Sequence, residues 1–116
     1  MASINKVFIV GRVSRDPITT KKSNFISVEF QVVCRHKNTD KDGNKRVKNE
    51  FFNCLIYGER AISAKQLIKK GVHISVEGKL QTTNWTEIET GHDRYKIEVI
   101  CNNVVCVSKE DEDDDE

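Results

Sequence analysis

The residues best equipped for chemistry in this sequence are aromatic and cationic. The stretch Glu50-Phe51-Phe52-Asn53-Cys54-Leu55-Ile56-Tyr57-Gly58 places three of the chain's eight aromatic residues within seven positions. In an extended strand side chains alternate between faces, so Phe51, Asn53, Leu55 and Tyr57 share one side, and Phe52, Cys54 and Ile56 the other. One side must be core. The other carries two rings flanking Asn53, either as a surface on which planar groups such as nucleobases stack or as a contact buried between subunits. The sole tryptophan, Trp85, stands in the polar run Thr82-Thr83-Asn84-Trp85-Thr86-Glu87. A lone indole in such a setting suits either a ligand contact or a loop anchor packed on its own domain.

Cations gather around these rings. His36–Asn49 holds Lys37, Lys41, Lys45, Arg46 and Lys48 against Asp40 and Asp42. Arg12, Arg35, Lys70, Lys79 and Arg94 extend the set, and all ten are candidates to hold phosphate groups. The chain as a whole has 19 Lys and Arg against 18 Asp and Glu, a net +1. That balance conceals a split, because residues 110–116 are all acidic. Taking those seven from the 18 acids leaves 11 against 19 cations, so residues 1–109 carry a net +8. A basic body suits a polyanionic partner. The acidic run reads as a disordered tail over residues 109–116, following a single domain over residues 1–108.

Other function classes find little support. The sequence has no Gly-x-x-x-x-Gly-Lys-[Ser/Thr] loop, no Gly-x-Ser-x-Gly, and no His/Asp/Glu cluster at metal-ligand spacing. The expectation is a protein that is no enzyme and needs no cofactor. Cys34, Cys54, Cys101 and Cys106 lie in apolar runs, with no Cys-x-x-Cys and with His36, His73 and His92 scattered. Four free thiols in a reducing compartment fit better than a zinc site or disulfides. No apolar run approaches the ~20 residues of a membrane span, and Met-Ala-Ser-Ile-Asn-Lys is unlike a leader peptide. The reading is a cytoplasmic protein.

The elements that must position the rings follow from periodicity. Asn5–Val13 is apolar on both parities, which predicts a strand covered on both faces, with a bulge or a sharp bend at Gly11. Ser14-Arg15-Asp16-Pro17 is a turn, and Thr19–Asn24 reads as a polar loop. Phe25–Arg35 alternates strictly, with Ile26, Val28, Phe30 and Val32 inward. The basic segment after it is centred on Asp42-Gly43, a hairpin signal, which would hang its charge beside the Phe51/Tyr57 face. Glu59–Lys70 has helical spacing, an acid near its start, Lys69-Lys70 in its last turn and Gly71 after it, predicting about three helical turns. Val72–Leu80 alternates again, with Val72, Ile74, Val76 and Leu80 inward and a bend at Gly78. Gln81–Asp93 reads as a polar stretch containing Trp85. Arg94–Val107 is the last strand, with Tyr95 packed into it and a change of apolar parity near Asn102-Asn103 that calls for a bulge or a strand end. Five strands with one helix between strands 3 and 4 predict an all-β fold, the five-stranded OB-fold barrel, an architecture that binds oligonucleotides across one face.

Taken in order, several segments resemble the bacterial-type single-stranded DNA-binding protein family. They are Asn5–Val13 with Asp16-Pro17, Phe51–Gly58, Leu67–Leu80, Trp85-Thr86 and Gly91–Tyr95, spread from Met1 to about Val107. The resemblance implies a homotetramer that wraps single-stranded DNA without sequence preference during replication, recombination and repair, with Phe51, Tyr57 and Trp85 stacking bases. It also implies that Lys6, Val7, Phe8, Ile9 and Val10 form the dimer strand, which would account for its two apolar faces. The acidic tail would recruit replication and repair proteins. The chain departs from the family pattern in three ways. Arg35-His36-Lys37-Asn38 stands where the family often has a further aromatic, and Thr83-Asn84 stands where basic residues usually precede the tryptophan. Seven bare acids replace a long linker with an apolar end. An OB-type module that binds protein, or one that binds RNA, remains open on the residues alone.

Overall fold

The computed structural model describes residues 2–108. The expected acidic tail, residues 109–116, lies outside the described residues. Six strands and one helix follow in the order β1 (Val7–Val13), β2 (Ile18–Lys22), β3 (Phe25–Thr39), β4 (Lys45–Tyr57), α1 (Glu59–Ala64), β5 (His73–Thr86) and β6 (Asp93–Ser108). The sheet order is β1-β5-β6-β4-β3-β2, and a further β1–β3 pairing (Arg12↔Val33, Val13↔Val32) closes five of the strands into a barrel. This is the expected OB-type architecture. The helix falls between β4 and β5 because β2 adds one strand ahead of it.

β2 corrects the sequence reading, which made Thr19–Asn24 a loop. Its residues pair with β3 from Ile18↔Glu29 to Lys22↔Phe25. All five are exposed, so there is no inward parity for hydrophobic alternation to reveal. The helix is also shorter than expected, six residues ending at Ala64. Beyond it the chain continues in turns, with Ile68 buried in the core and donating its N–H to the Ala64 carbonyl, and with the Gly71 N–H captured by the Val13 carbonyl at 2.9 Å. Gly71 takes φ 91° there, in the left-handed region open to glycine.

The core is the barrel interior, built from Val13, Val28, Phe30, Val32, Ile56, Ile74, Val76 and Val99 with Ile68 as a plug. Their alternation along β3, β4 and β5 is the one the sequence predicts. Burying so many branched side chains, each contributing about 1.5–3 kcal/mol, outweighs any single polar contact in the barrel. Gly11 and Gly78 mark close approaches between strands. A Cβ on Gly11 would lie 2.5 Å from the Val33 carbonyl oxygen, and one on Gly78 would overlap the Ile100 carbonyl. At Gly78 the β5–β6 register shifts, Glu77 pairing with Asn103 and Gly78 with Cys101, which is the bulge expected near Asn102-Asn103.

Both long hairpins leave the barrel as two-stranded ribbons. The β3–β4 ribbon stays in register out to Thr39↔Lys45, and the β5–β6 ribbon out to Thr86↔Asp93. Trp85 therefore sits on a strand opposite Arg94, where the sequence suggested a loop. The same geometry exposes residues expected to pack, since a two-stranded ribbon has no second layer above it. Leu80 is 47%, Ile97 53% and Tyr95 67% exposed. β1 is covered on one face only. Val7 and Ile9 pack on the core while Phe8 and Val10 face outward, so the coverage expected on both faces is absent within one chain.

Candidate nucleic-acid interface

The parity of β4 decides where the rings point. Cys54 and Ile56 are buried and Phe52 is half-buried against the core, so Phe51, Asn53, Leu55 and Tyr57 face outward. Phe51 is 55% and Tyr57 39% exposed. Six residues of antiparallel strand separate them, about 20 Å. Between them Gln31 donates from Nε2 to Asn53 Oδ1 at 3.2 Å, a polar patch between two rings.

Register carries this outer face across the strands. Val33 pairs with Phe51 on one side and with Arg12 of β1 on the other, setting the half-buried Arg12 two strands from Phe51. On the far side β4 pairs in parallel with β6 through Leu55↔Ile100, and Ile100 pairs with Lys79. By alternation Glu98, Lys96 and Arg94 continue that outer row, and Arg94 stands opposite Trp85. A cleft of about 220 Å³ joins the two regions, lined among others by Glu29, Asn53, Lys96 and Glu98. Its floor holds Glu98, 6% exposed, with Lys96 Nζ 3.6 Å from its carboxylate. Trp85, 45% exposed, lies about 13 Å farther along the ribbon. Phe51, Tyr57 and Trp85 thus belong to one continuous outer surface.

The candidate phosphate ligands divide by parity. Arg35, Lys37 and Lys45 alternate onto the aromatic face of the β3–β4 ribbon, register partners of Asn49, Val47 and Thr39. Arg46 and Lys48 fall on the opposite face, and each is paired locally: Arg46 Nε with Asp40 Oδ2 at 3.0 Å, Lys48 Nζ with Glu50 Oε1 at 3.7 Å. Lys41 lies in the ribbon's end turn, which Asp40 caps by accepting the N–H groups of Asp42 and Asn44. The Asn44 N–H first, then the Arg46 guanidinium, hold the Asp40 carboxyl below its ordinary range. Lys70 lies off the ribbons, its N–H directed at Asp16 Oδ1. Arg94 shares the face of Trp85 but is clasped by Glu87, Nε to Oε2 3.2 Å and Nη2 to Oε1 3.3 Å. Glu87 is itself depressed in pKa, chiefly by the Thr90 hydroxyl and then by Arg94.

The sequence reading passed over one ring. Phe25 opens β3, is 53% exposed and lies 5.6 Å from Tyr57 between centroids, tilted by 40°. Its parity with Ser27, Glu29 and Gln31 was the available signal. Of the four free thiols, Cys54 and Cys101 are buried beneath this surface. Cys54 is buried, and its pKa is driven up by a hydrogen bond with Cys101 and by burial. Among the described residues no group of three or more His, Cys, Asp or Glu could hold a metal ion. No helix among them is long and apolar enough to cross a membrane.

A closed OB-type barrel with outward rings set among cations defines the class as an oligonucleotide-binding module. Residues 4–107 match the model of the single-strand binding protein family. A Xylella fastidiosa protein, single-stranded DNA-binding protein 1, is 34% identical over 111 residues, spanning 94% of this chain and 81% of the relative. Single-stranded DNA-binding protein 1 of Chlorobaculum tepidum is 28% identical over 109 residues, 93% of this chain and 67% of its own. Among solved structures, a Plasmodium falciparum SSB in complex with single-stranded DNA superposes with TM-score 0.83 at 17% identity, over 93% of this chain and 98% of that one. A small single-stranded DNA-binding protein of Streptomyces coelicolor superposes with TM-score 0.69 at 20% identity, over 91% and 95%. The chain belongs to the single-strand binding protein family.

Proposed function

We propose that this protein coats exposed single-stranded DNA during replication, recombination and repair, in the cytoplasm and without catalysis. The carrying observation is the continuous outer surface that holds Phe51, Tyr57 and Trp85 exposed with Arg35, Lys37 and Lys45 on one flank. Bases stack on the three rings, each worth about 1–3 kcal/mol on alanine substitution. Arg12, Lys79 and Arg94 with the ribbon cations follow the phosphates. Stacking is indifferent to base identity, because every base has a π-face, so coverage is independent of sequence.

The working form is a homotetramer assembled from dimers through Lys6–Val10. What supports this is Phe8, 65% exposed, and Val10, 49% exposed, side by side in parity on a strand packed by one face only. Exposed apolar residues of that kind mark contact surfaces. Several subunits on one strand raise the effective concentration of each interface for the next segment of DNA. The acidic residues 110–116 are the candidate docking element for replication and repair proteins.

The test is a titration of Trp85 fluorescence with poly(dT) over a salt series, with the mass of the free and bound assembly measured alongside. The expected outcome is saturable quenching, an affinity that falls as salt rises, and a tetramer mass. An unchanged Trp85 signal at saturating poly(dT) would remove Trp85 from the interface. Equal affinity for duplex and single strand would overturn the proposal.

A further inference from the structure

We propose that Phe25 is a further base-stacking platform and that the DNA path runs past Tyr57 across β3 onto β2, where Lys22 meets the next phosphate. This rests on the single-stranded DNA reading above and adds residues that neither periodicity nor the family resemblance assigned. Phe25 has the outward parity of β3, and more than half of its surface is exposed although it is a large apolar ring. Burial in the barrel does not account for its position. Among the described residues its ring neighbour is Tyr57, at 5.6 Å and a 40° tilt. That separation leaves no room for a base between the two rings, so they present neighbouring surfaces over which successive bases can lie, one on each.

β2 supplies the rest of the platform. The two-residue turn Ser23-Asn24, with Ser23 at φ 54°, brings Lys22 directly opposite Phe25. Ile18, Thr20 and Lys22 share the outer parity, paired with Glu29, Ser27 and Phe25. Lys22 has an ammonium group on the same face as the ring, suited to the phosphate that follows a stacked base. Ile18, 57% exposed, extends the apolar surface toward the cleft that reaches Lys96. The N-terminal half of β4, from Lys45 to Asn49, belongs to the basic ribbon, Phe51 follows it near mid-strand, and Phe25 and Lys22 lie beyond the Tyr57 end. The ring pair therefore occupies the end of β4 away from the cations of the ribbon.

The experiment compares the parent chain with Phe25→Ala, Phe25→Tyr, Tyr57→Ala and Phe25→Ala/Tyr57→Ala in binding of fluorescein-labelled dT oligomers, with thermal midpoints measured for each. Phe25→Ala is expected to weaken binding about fivefold or more at an unchanged thermal midpoint. Phe25→Tyr should retain the parent affinity. The Phe25→Ala loss should persist in the Tyr57→Ala background, because a ring that only positions Tyr57 has nothing left to position there. Parent-like binding by Phe25→Ala, or disappearance of its effect once Tyr57 is removed, overturns the inference while leaving the function intact. Failure of the parent itself to bind dT overturns both.

Discussion

The β3–β4 and β5–β6 ribbons both leave the barrel as isolated antiparallel pairs, yet they carry opposite chemistry. The β3–β4 ribbon ends in charge: Arg35, Lys37 and Lys45 line its aromatic-side face, and its ring, Phe51, sits at its root. The β5–β6 ribbon ends in a ring: Trp85 stands one residue from its last strand pair, and the cation directly opposite it, Arg94, is clasped by Glu87. On the proposed function, one ribbon would serve phosphates and the other a base. The two contributions to affinity therefore sit in different places, and mutation and salt can pull them apart.

Disabling the β5–β6 ribbon at its root should cost the most. Gly78→Val would drive a branched side chain into the Ile100 carbonyl at the root of the β5–β6 ribbon. The expected loss is about 3 kcal/mol of stability or more, read as a lowered midpoint in urea. Next come the rings. Phe51→Ala and Trp85→Ala should each cost about 1–3 kcal/mol of poly(dT) affinity while leaving the slope of log affinity against log salt unchanged. A changed slope in Trp85→Ala would show that the β5–β6 ribbon also works through charge.

Arg35→Ala and Lys37→Ala test the other ribbon. Each should weaken binding at low salt and flatten the salt slope by about 0.7, the value for one lost single-strand phosphate contact. An unflattened slope would mean that these cations only solvate the ribbon. The smallest effect sharpens the contrast. Glu87→Gln releases Arg94 beside Trp85 and should raise affinity about twofold at low salt, the size expected of an exposed ion pair. Acid should not mimic it between pH 8 and the ordinary glutamate range, because the Thr90 hydroxyl and Arg94 hold Glu87 ionised below that range. A gain from Gln that acid reproduced at pH 5 would contradict the clasp.

Much of this was legible in the residues. Strict alternation in Phe25–Arg35 and Val72–Leu80 named the inward side chains of the barrel wall apart from Leu80, because one buried face imposes a period of two. The same rule put Phe51 and Tyr57 on one face, and the basic hairpin, the tryptophan and the family resemblance pointed that face outward. The parity change near Asn102 located the bulge opposite Gly78. What escaped were features without a buried face. β2 has none, so its pairing left no pattern. The ribbon that carries Trp85 is exposed on both sides from Lys79 to Thr86 apart from Thr83, so it resembled a loop.

By itself the sequence determined the barrel, its single helix, the shared face of the β4 rings and the basic character of the body, since each rests on local period or composition. Only the tertiary structure decided which cations share a face with the rings. Arg46 and Lys48 look equivalent to Lys45 along the chain, but parity and the partners Asp40 and Glu50 turn them away. It also decided that Phe25 stands beside Tyr57, because that contact depends on the pairing of β3 with β4. Cross-strand register joins residues that are distant along the chain, and no local pattern encodes it.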